Sequence, residues 1–168
     1  MFYAEMQAIL GLGAKLIRYN LSVRFSAAVF TAVMIWIVSS TDAAAAERMA
    51  VKSDIANIRS GPSTKSELLW QIEKYHPVLV IEKKGQWYRF KDFEGDQGWV
   101  HASLLDKTPT VIVKVRRCNV RSGPDAKYDV VFTVDKGIPF KVLEVKGRWI
   151  KVQHADGDKG WVFKTLVW

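Results

Sequence analysis

The chain has 168 residues, with 25 Lys and Arg against 17 Asp and Glu, a formal net charge of +8, and one cysteine. The lone Cys118 excludes an intrachain disulfide framework, so the fold must be held by packing. The charge favours anionic partners: acidic polysaccharide, lipid head groups or nucleic acid.

Arg18 and Arg24 precede an uncharged run from Phe25 to Thr41, followed by Asp42-Ala-Ala-Ala-Ala46. A positive flank, an apolar middle and a small-residue exit form a secretory signal pattern, with cleavage expected near Ala45 or Ala46. The most apolar part, Ala27 to Val38, is shorter than the roughly 20 residues that cross a bilayer comfortably. The competing reading is an uncleaved anchor over Leu21 to Ser40 with Arg24 snorkelling to the interface, and only that reading gives the chain a membrane contact. Residues 1–46 are therefore expected to be a signal peptide or an uncleaved anchor. Everything after them is expected to be periplasmic or otherwise extracytoplasmic, or held at the inner membrane.

Beyond residue 46 the chain repeats itself. Asn57-Ile-Arg-Ser-Gly-Pro62 returns 62 residues later as Asn119-Val-Arg-Ser-Gly-Pro124. At the same offset Gly85-x-Trp87 meets Gly147-x-Trp149, and Gly98-Trp-Val100 meets Gly160-Trp-Val162. Between Asn57 and Leu105, 19 of 49 aligned positions are identical without a gap. Two units follow, residues 47–106 and 107–168. They differ in charge: Glu47 to Thr108 holds 10 Lys and Arg against 9 Asp and Glu, whereas Pro109 to Trp168 holds 12 against 6, a net of +6.

In the first unit, residues 47–56 read as a loose edge strand and Asn57 to Ser66, rich in Asn, Ser, Gly and Pro, as a loop. Leu68 to Ile72, Val78 to Ile81, Trp87 to Phe90 and Gly98 to Val100 read as strands, with a hairpin turn at Lys83 to Gln86 and a single helical turn over Ala102 to Leu105. The second unit repeats the order, beginning with a strand at Val111 to Val115. Five short strands per unit, with no helical periodicity, predict an all-β chain of two tandem five-stranded barrels. The short linker from Leu105 to Thr110 predicts close neighbours.

Asn-Ile/Val-Arg-Ser-Gly-Pro, Gly-x-Trp and Gly-Trp-Val before a last Leu, in this order in both units, resemble the bacterial Src-homology-3-like (SH3-like) domain, in its secreted tandem form. The resemblance covers almost all of residues 48–168. It implies a five-stranded barrel and an extracytoplasmic role, since such domains accompany cell-wall hydrolases and bind peptidoglycan or its peptide stems. The Ala-Leu-Tyr-Asp-Tyr type of motif of the eukaryotic domains is missing, so recognition of proline-rich helices does not transfer.

Eight residues stand out as ligand-binding candidates. Trp87, Trp149, Trp99 and Trp161 carry flat indoles that stack on sugar rings while the N–H donates to a hydroxyl; equally, a barrel this small needs large side chains in its core. Arg59 and Arg121 suit a carboxylate in a bidentate pair, and Asn57 and Asn119 lie beside them. The recurrence of the motif on two different surfaces also fits a shared structural role at the start of the loop. Cys118 follows Arg116-Arg117, but its counterpart is Ala56, which predicts a small buried side chain. Trp168, at the offset of Asp106, is expected to cap the second barrel.

His76, His101 and His154 are scattered, so no metal site, cofactor or catalytic constellation is expected. The acidic residues Glu94, Asp96, Asp156 and Asp158 read as turn chemistry. The resulting expectation is a non-enzymatic extracytoplasmic module that binds peptidoglycan, with the basic second unit meeting stem carboxylates. The alternative is a protein–protein adaptor of the envelope. Nonspecific polyanion binding is the third reading, and the export signal argues against nucleic acid as the partner.

Overall fold

The computed structural model of the chain describes residues 46–168. The expected signal or anchor segment, with its apolar run from Phe25 to Thr41, lies outside the described residues.

The first unit runs β1 (Glu47–Val51), β2 (Ile55–Arg59), β3 (Leu68–Glu73), β4 (Pro77–Lys84), β5 (Trp87–Lys91), β6 (Gln97–His101), a 3-10 turn (Ala102–Leu104) and β7 (Leu105–Asp106). The second runs β8 (Thr110–Ile112), β9 (Arg117–Arg121), β10 (Val130–Asp135), β11 (Pro139–Lys146), β12 (Trp149–Gln153), β13 (Lys159–Phe163) and a 3-10 turn (Lys164–Leu166). The strands form two antiparallel sheets, in the orders β3-β2-β6-β5-β4-β1-β7 and β10-β9-β13-β12-β11-β8.

The architecture is all-β and doubled, as read from the sequence, but three local readings change. The stretch over residues 47–56 is not one edge strand: it bends at Ser53-Asp54, and β1 then lies inside the sheet, paired with β4 on one side and β7 on the other. That division and the two-residue β7 raise the first sheet to seven strands, and the second has six, against the five expected. Asn57, Arg59, Asn119 and Arg121 sit in β2 and β9, not in a loop. Their strands alternate exposed and buried residues, and burying Ala56 and Ile58, or Cys118 and Val120, outweighs the turn-forming tendency of Asn. The strand expected at Val111 to Val115 covers Thr110–Ile112, after which Val113 makes a single bridge to Val167.

The two cores are the repeat seen from inside. Val51, Ala56, Ile58, Val78, Phe90, Val100 and Leu105 are buried in the first, and at the 62-residue offset Val113, Cys118, Val120, Phe140, Val152, Val162 and Val167 are buried in the second. Each buried Val, Ile, Leu or Phe among them contributes roughly 1.5–3 kcal/mol. One exchange stands out: Val78 and Phe90 in the first core become Phe140 and Val152 in the second, so each barrel keeps one phenyl ring and one isopropyl group but swaps their strands.

The Gly-Trp-Val motif has a steric cause. A Cβ on Gly98 would overlap Ile58 Cγ2, and one on Gly160 would overlap Val120 Cγ1, so only glycine lets β6 and β13 close against β2 and β9. In the turn before β4, Tyr75 adopts φ 69 where the second barrel has Gly137 at φ 92.

The barrels touch. The Arg48 guanidinium lies 3.9 Å above the Trp168 ring, and its Nη2 donates to the Trp168 carbonyl at 2.9 Å. Trp168 is itself paired with Ile112 of the second barrel through both backbone groups, so it caps that barrel and meets the first. Lys136 pairs with Glu94 and stands 5.7 Å from the Phe93 ring centroid.

Candidate functional site

The second barrel carries an open groove of about 320 Å³ between β9, β12 and the end of β13. Its floor is Trp149 and Phe163, which face each other directly in the β12–β13 register and meet edge to face with centroids 5.2 Å apart. Its side is β9. Because Cys118 and Val120 point into the core, period two puts Arg117, Asn119 and Arg121 together on the opposite face, and all three line the groove. The Arg148 guanidinium lies 4.7 Å above the Phe163 ring. The result is an aromatic floor with two guanidinium groups along its β9 side and a third over the Phe163 ring.

Arg121 has two tasks. Its Nη1 donates to the Tyr128 carbonyl at 2.7 Å and holds the return arm of the long loop. Arg59 does the same in the first barrel, donating to the Ser66 carbonyl at 2.8 Å. The backbone of both loops is closed alike, by Ser60 to Glu67 and Ser122 to Asp129. This accounts for the recurrence of Asn-x-Arg-Ser-Gly-Pro as loop architecture. Asn57 plays no such part: its side chain accepts from Gln71 Nε2 at 2.8 Å across the β2–β3 pair.

The same position on the first barrel is chemically different. At the offsets of Arg117, Arg121, Arg148 and Phe163 stand Ile55, Arg59, Gln86 and His101. Trp87 and His101 keep the edge-to-face geometry, at 5.3 Å. The first barrel opens a cavity of about 320 Å³ lined by Arg59, Leu69, Arg89, Gln97 and Trp99. There Arg89 is engaged by Gln97 Oε1 at 2.9 Å and Glu82 at 3.5 Å.

The eight sequence candidates thus divide. Asn119, Arg121 and Trp149 converge on the second barrel's groove, and Arg59 and Trp99 on the first barrel's cavity. Asn57 and Trp87 line neither of these two openings, and Trp161, 7% exposed, belongs to the interior. Arg117, Phe163 and Arg148 were not among the candidates. Arg117 was legible from its two-residue spacing to Asn119, Phe163 and Arg148 only from strand register. Cys118, on the core face of β9, is fully buried, and burial pushes its thiol up to about 11 despite the preceding arginines. Among the described residues, no cluster of His, Cys, Asp and Glu is arranged to hold a metal ion.

Residues 52–107 and 114–168 each match the family described as bacterial SH3 domain. A Bacillus subtilis protein named N-acetylmuramoyl-L-alanine amidase YrvJ is 26% identical over 150 residues, covering 83% of this chain and 29% of that protein. Staphylococcus epidermidis LytH, named a cell wall amidase, is 41% identical over 61 residues, covering 36% of this chain and 21% of its own length. Both names are provisional assignments, and the chain spans less than a third of either relative. Among solved structures, an NlpC/P60 family protein from Bacillus cereus aligns with a TM-score of 0.36 at 16% identity, covering 73% of this chain and 56% of that one.

Proposed function

Starting from its membership of the bacterial SH3 domain family, with two copies in tandem, we propose that the chain is a non-catalytic, extracytoplasmic binding protein that holds peptidoglycan or its peptide stems. One observation carries the reading: the relatives that share these domains are named for acting on the cell wall, and they share a segment that is only a fraction of their length. Such a segment is suited to holding an enzyme on its substrate. The groove of the second barrel agrees with this in its chemistry. Indole and phenyl faces suit sugar rings and peptide side chains, and guanidinium groups suit carboxylates.

The test is sedimentation of the full-length protein with purified sacculi at low and at physiological salt, corrected for protein that pellets alone. Retention at physiological salt supports the reading. Retention at low salt only marks a nonspecific polycation, because screening by salt removes long-range attraction first. A second reading, an envelope adaptor, is favoured by exposed apolar residues on strands at the sheet edges: Leu68 and Leu69 on β3, Val130 and Val131 on β10. Such edges accept a partner's strand. Absence of wall retention together with a discrete crosslinked envelope protein favours that reading.

A further inference from the structure

The 62-residue repeat makes the two barrels internal controls for each other. At one groove position the second barrel presents Arg117 and Arg121 beside Trp149 and Phe163, with Arg148 over the Phe163 ring, while the first has Ile55, Arg59 and Gln86 at those offsets, with Trp87 and His101. Three guanidinium groups stand where one stood. Among the described residues Arg117 pairs with Asp135, whose Oδ1 is 3.9 Å from Arg117 Nε with both side chains about three-quarters exposed (75% and 78%). A contact that long and that wet is readily exchanged for a better acceptor. Arg148 lies over the Phe163 ring, and Arg121 is fixed by its bond to the loop, so two of the three cations are pre-positioned.

We infer that this groove is a carboxylate-selective subsite for the acidic peptide of the wall, formed by Arg117 and Arg121 beside the Trp149–Phe163 pair with Arg148 at its margin over Phe163, and that the first barrel lacks it. The inference rests on the wall-binding reading for the source of the carboxylate, and on charge complementarity for the chemistry. The carboxylate takes the guanidinium N–H groups, and the chain that bears it lies on the aromatic floor.

The test uses full-length protein with native sacculi, with sacculi whose carboxylates have been converted to amides, and with a soluble probe, N-acetyl-D-alanyl-D-alanine, beside its C-terminal amide. Amidation of the sacculi is expected to weaken retention about tenfold. Arg117→Gln and Arg148→Gln are each expected to weaken binding to native sacculi about three- to tenfold and to leave binding to amidated sacculi unchanged. Gln86→Ala and Ile55→Gln on the first barrel change neither. Asp135→Asn, which frees Arg117 from its competitor, is expected to strengthen binding about twofold. Equal retention on native and amidated sacculi leaves the wall reading standing and overturns the subsite. No retention on either, with the free acid but not its amide shifting the Trp149 indole resonance, overturns the wall reading and leaves the subsite standing. No response to sacculi or to the free acid overturns both.

Discussion

The exchange of Val78 and Phe90 for Phe140 and Val152 makes a quantitative prediction about how the core is filled. In the first barrel Phe90 on β5 lies opposite Val80 on β4, so Val78, two residues along β4 on the same face, is its diagonal neighbour, within reach of an aromatic ring. The second barrel has Val152 opposite Val142, with Phe140 diagonal to it. Phe90→Val removes the net equivalent of four buried carbons and leaves a void, costing about 3 kcal/mol. Val78→Phe forces a ring into a full core and costs about 2 kcal/mol. Combined, they recreate the arrangement the second barrel already uses. The double variant is expected to lose only about 2 kcal/mol, roughly 3 kcal/mol less than the two losses added together, at the upper end of measured couplings between touching residues. Equilibrium urea unfolding of full-length protein, followed by tryptophan fluorescence and far-ultraviolet circular dichroism, gives the three values. A double variant whose loss equals the sum of the singles to within about 0.5 kcal/mol would refute the claim that the two positions share one space.

Three further predictions follow from the same structure. His76 is buried, its Nε2 has no hydrogen-bond partner, and burial holds its pKa below the ordinary 6.5 against the opposing pull of Asp92 and Glu94. Its neutral form therefore stabilises the first barrel fully above pH 6.5, and that share is lost as pH falls from there through the depressed folded value; His76→Ile, the residue type of the second barrel, should remove this part of the pH dependence of urea unfolding. Glu47, bridged to Lys83 at 2.6 Å and Lys107 at 2.9 Å, is held down to about 2, so its carboxyl carbon should titrate near pH 2 by NMR and move toward the ordinary 4.5 in Lys83→Gln. Any stability it supplies is present above pH 4.5 and lost as pH falls toward 2. Cys118 should resist thiol reagents at pH 8 in the native protein and react at once in denaturant, and Cys118→Ala should cost about 1 kcal/mol, since the first barrel closes with Ala56 at that place.

How much of this was visible in the residues depends on the kind of signal. The repeat made the doubled β architecture legible, because insertions would have broken the constant offset of Gly98-Trp-Val and Gly160-Trp-Val. The burial of Cys118 was legible from Ala56, since one small side chain predicts another. The strand location of Asn119 and Arg121 was written in the alternation of Arg117, Cys118, Asn119, Val120 and Arg121, but the Ser-Gly-Pro that follows drew the loop boundary too early. The groove floor was not legible. Trp149 and Phe163 are neighbours only through the β12–β13 register, and Arg148 reaches Phe163 only across that pair. Nor does local sequence distinguish Trp99, which lines a cavity, from the interior Trp161, since both stand in the same Gly-Trp-Val context.

Wall binding through the second barrel's groove, as proposed, has a residue-level signature. The most direct measurement is a titration of isotopically labelled full-length protein with soluble muropeptides at physiological salt, read as chemical-shift changes residue by residue. Shifts are expected to concentrate on Asn119, Arg121, Trp149 and Phe163, with the matching positions Asn57, Arg59, Trp87 and His101 much less affected. An absence of shifts, or shifts confined to the edge strands β3 and β10, would contradict it.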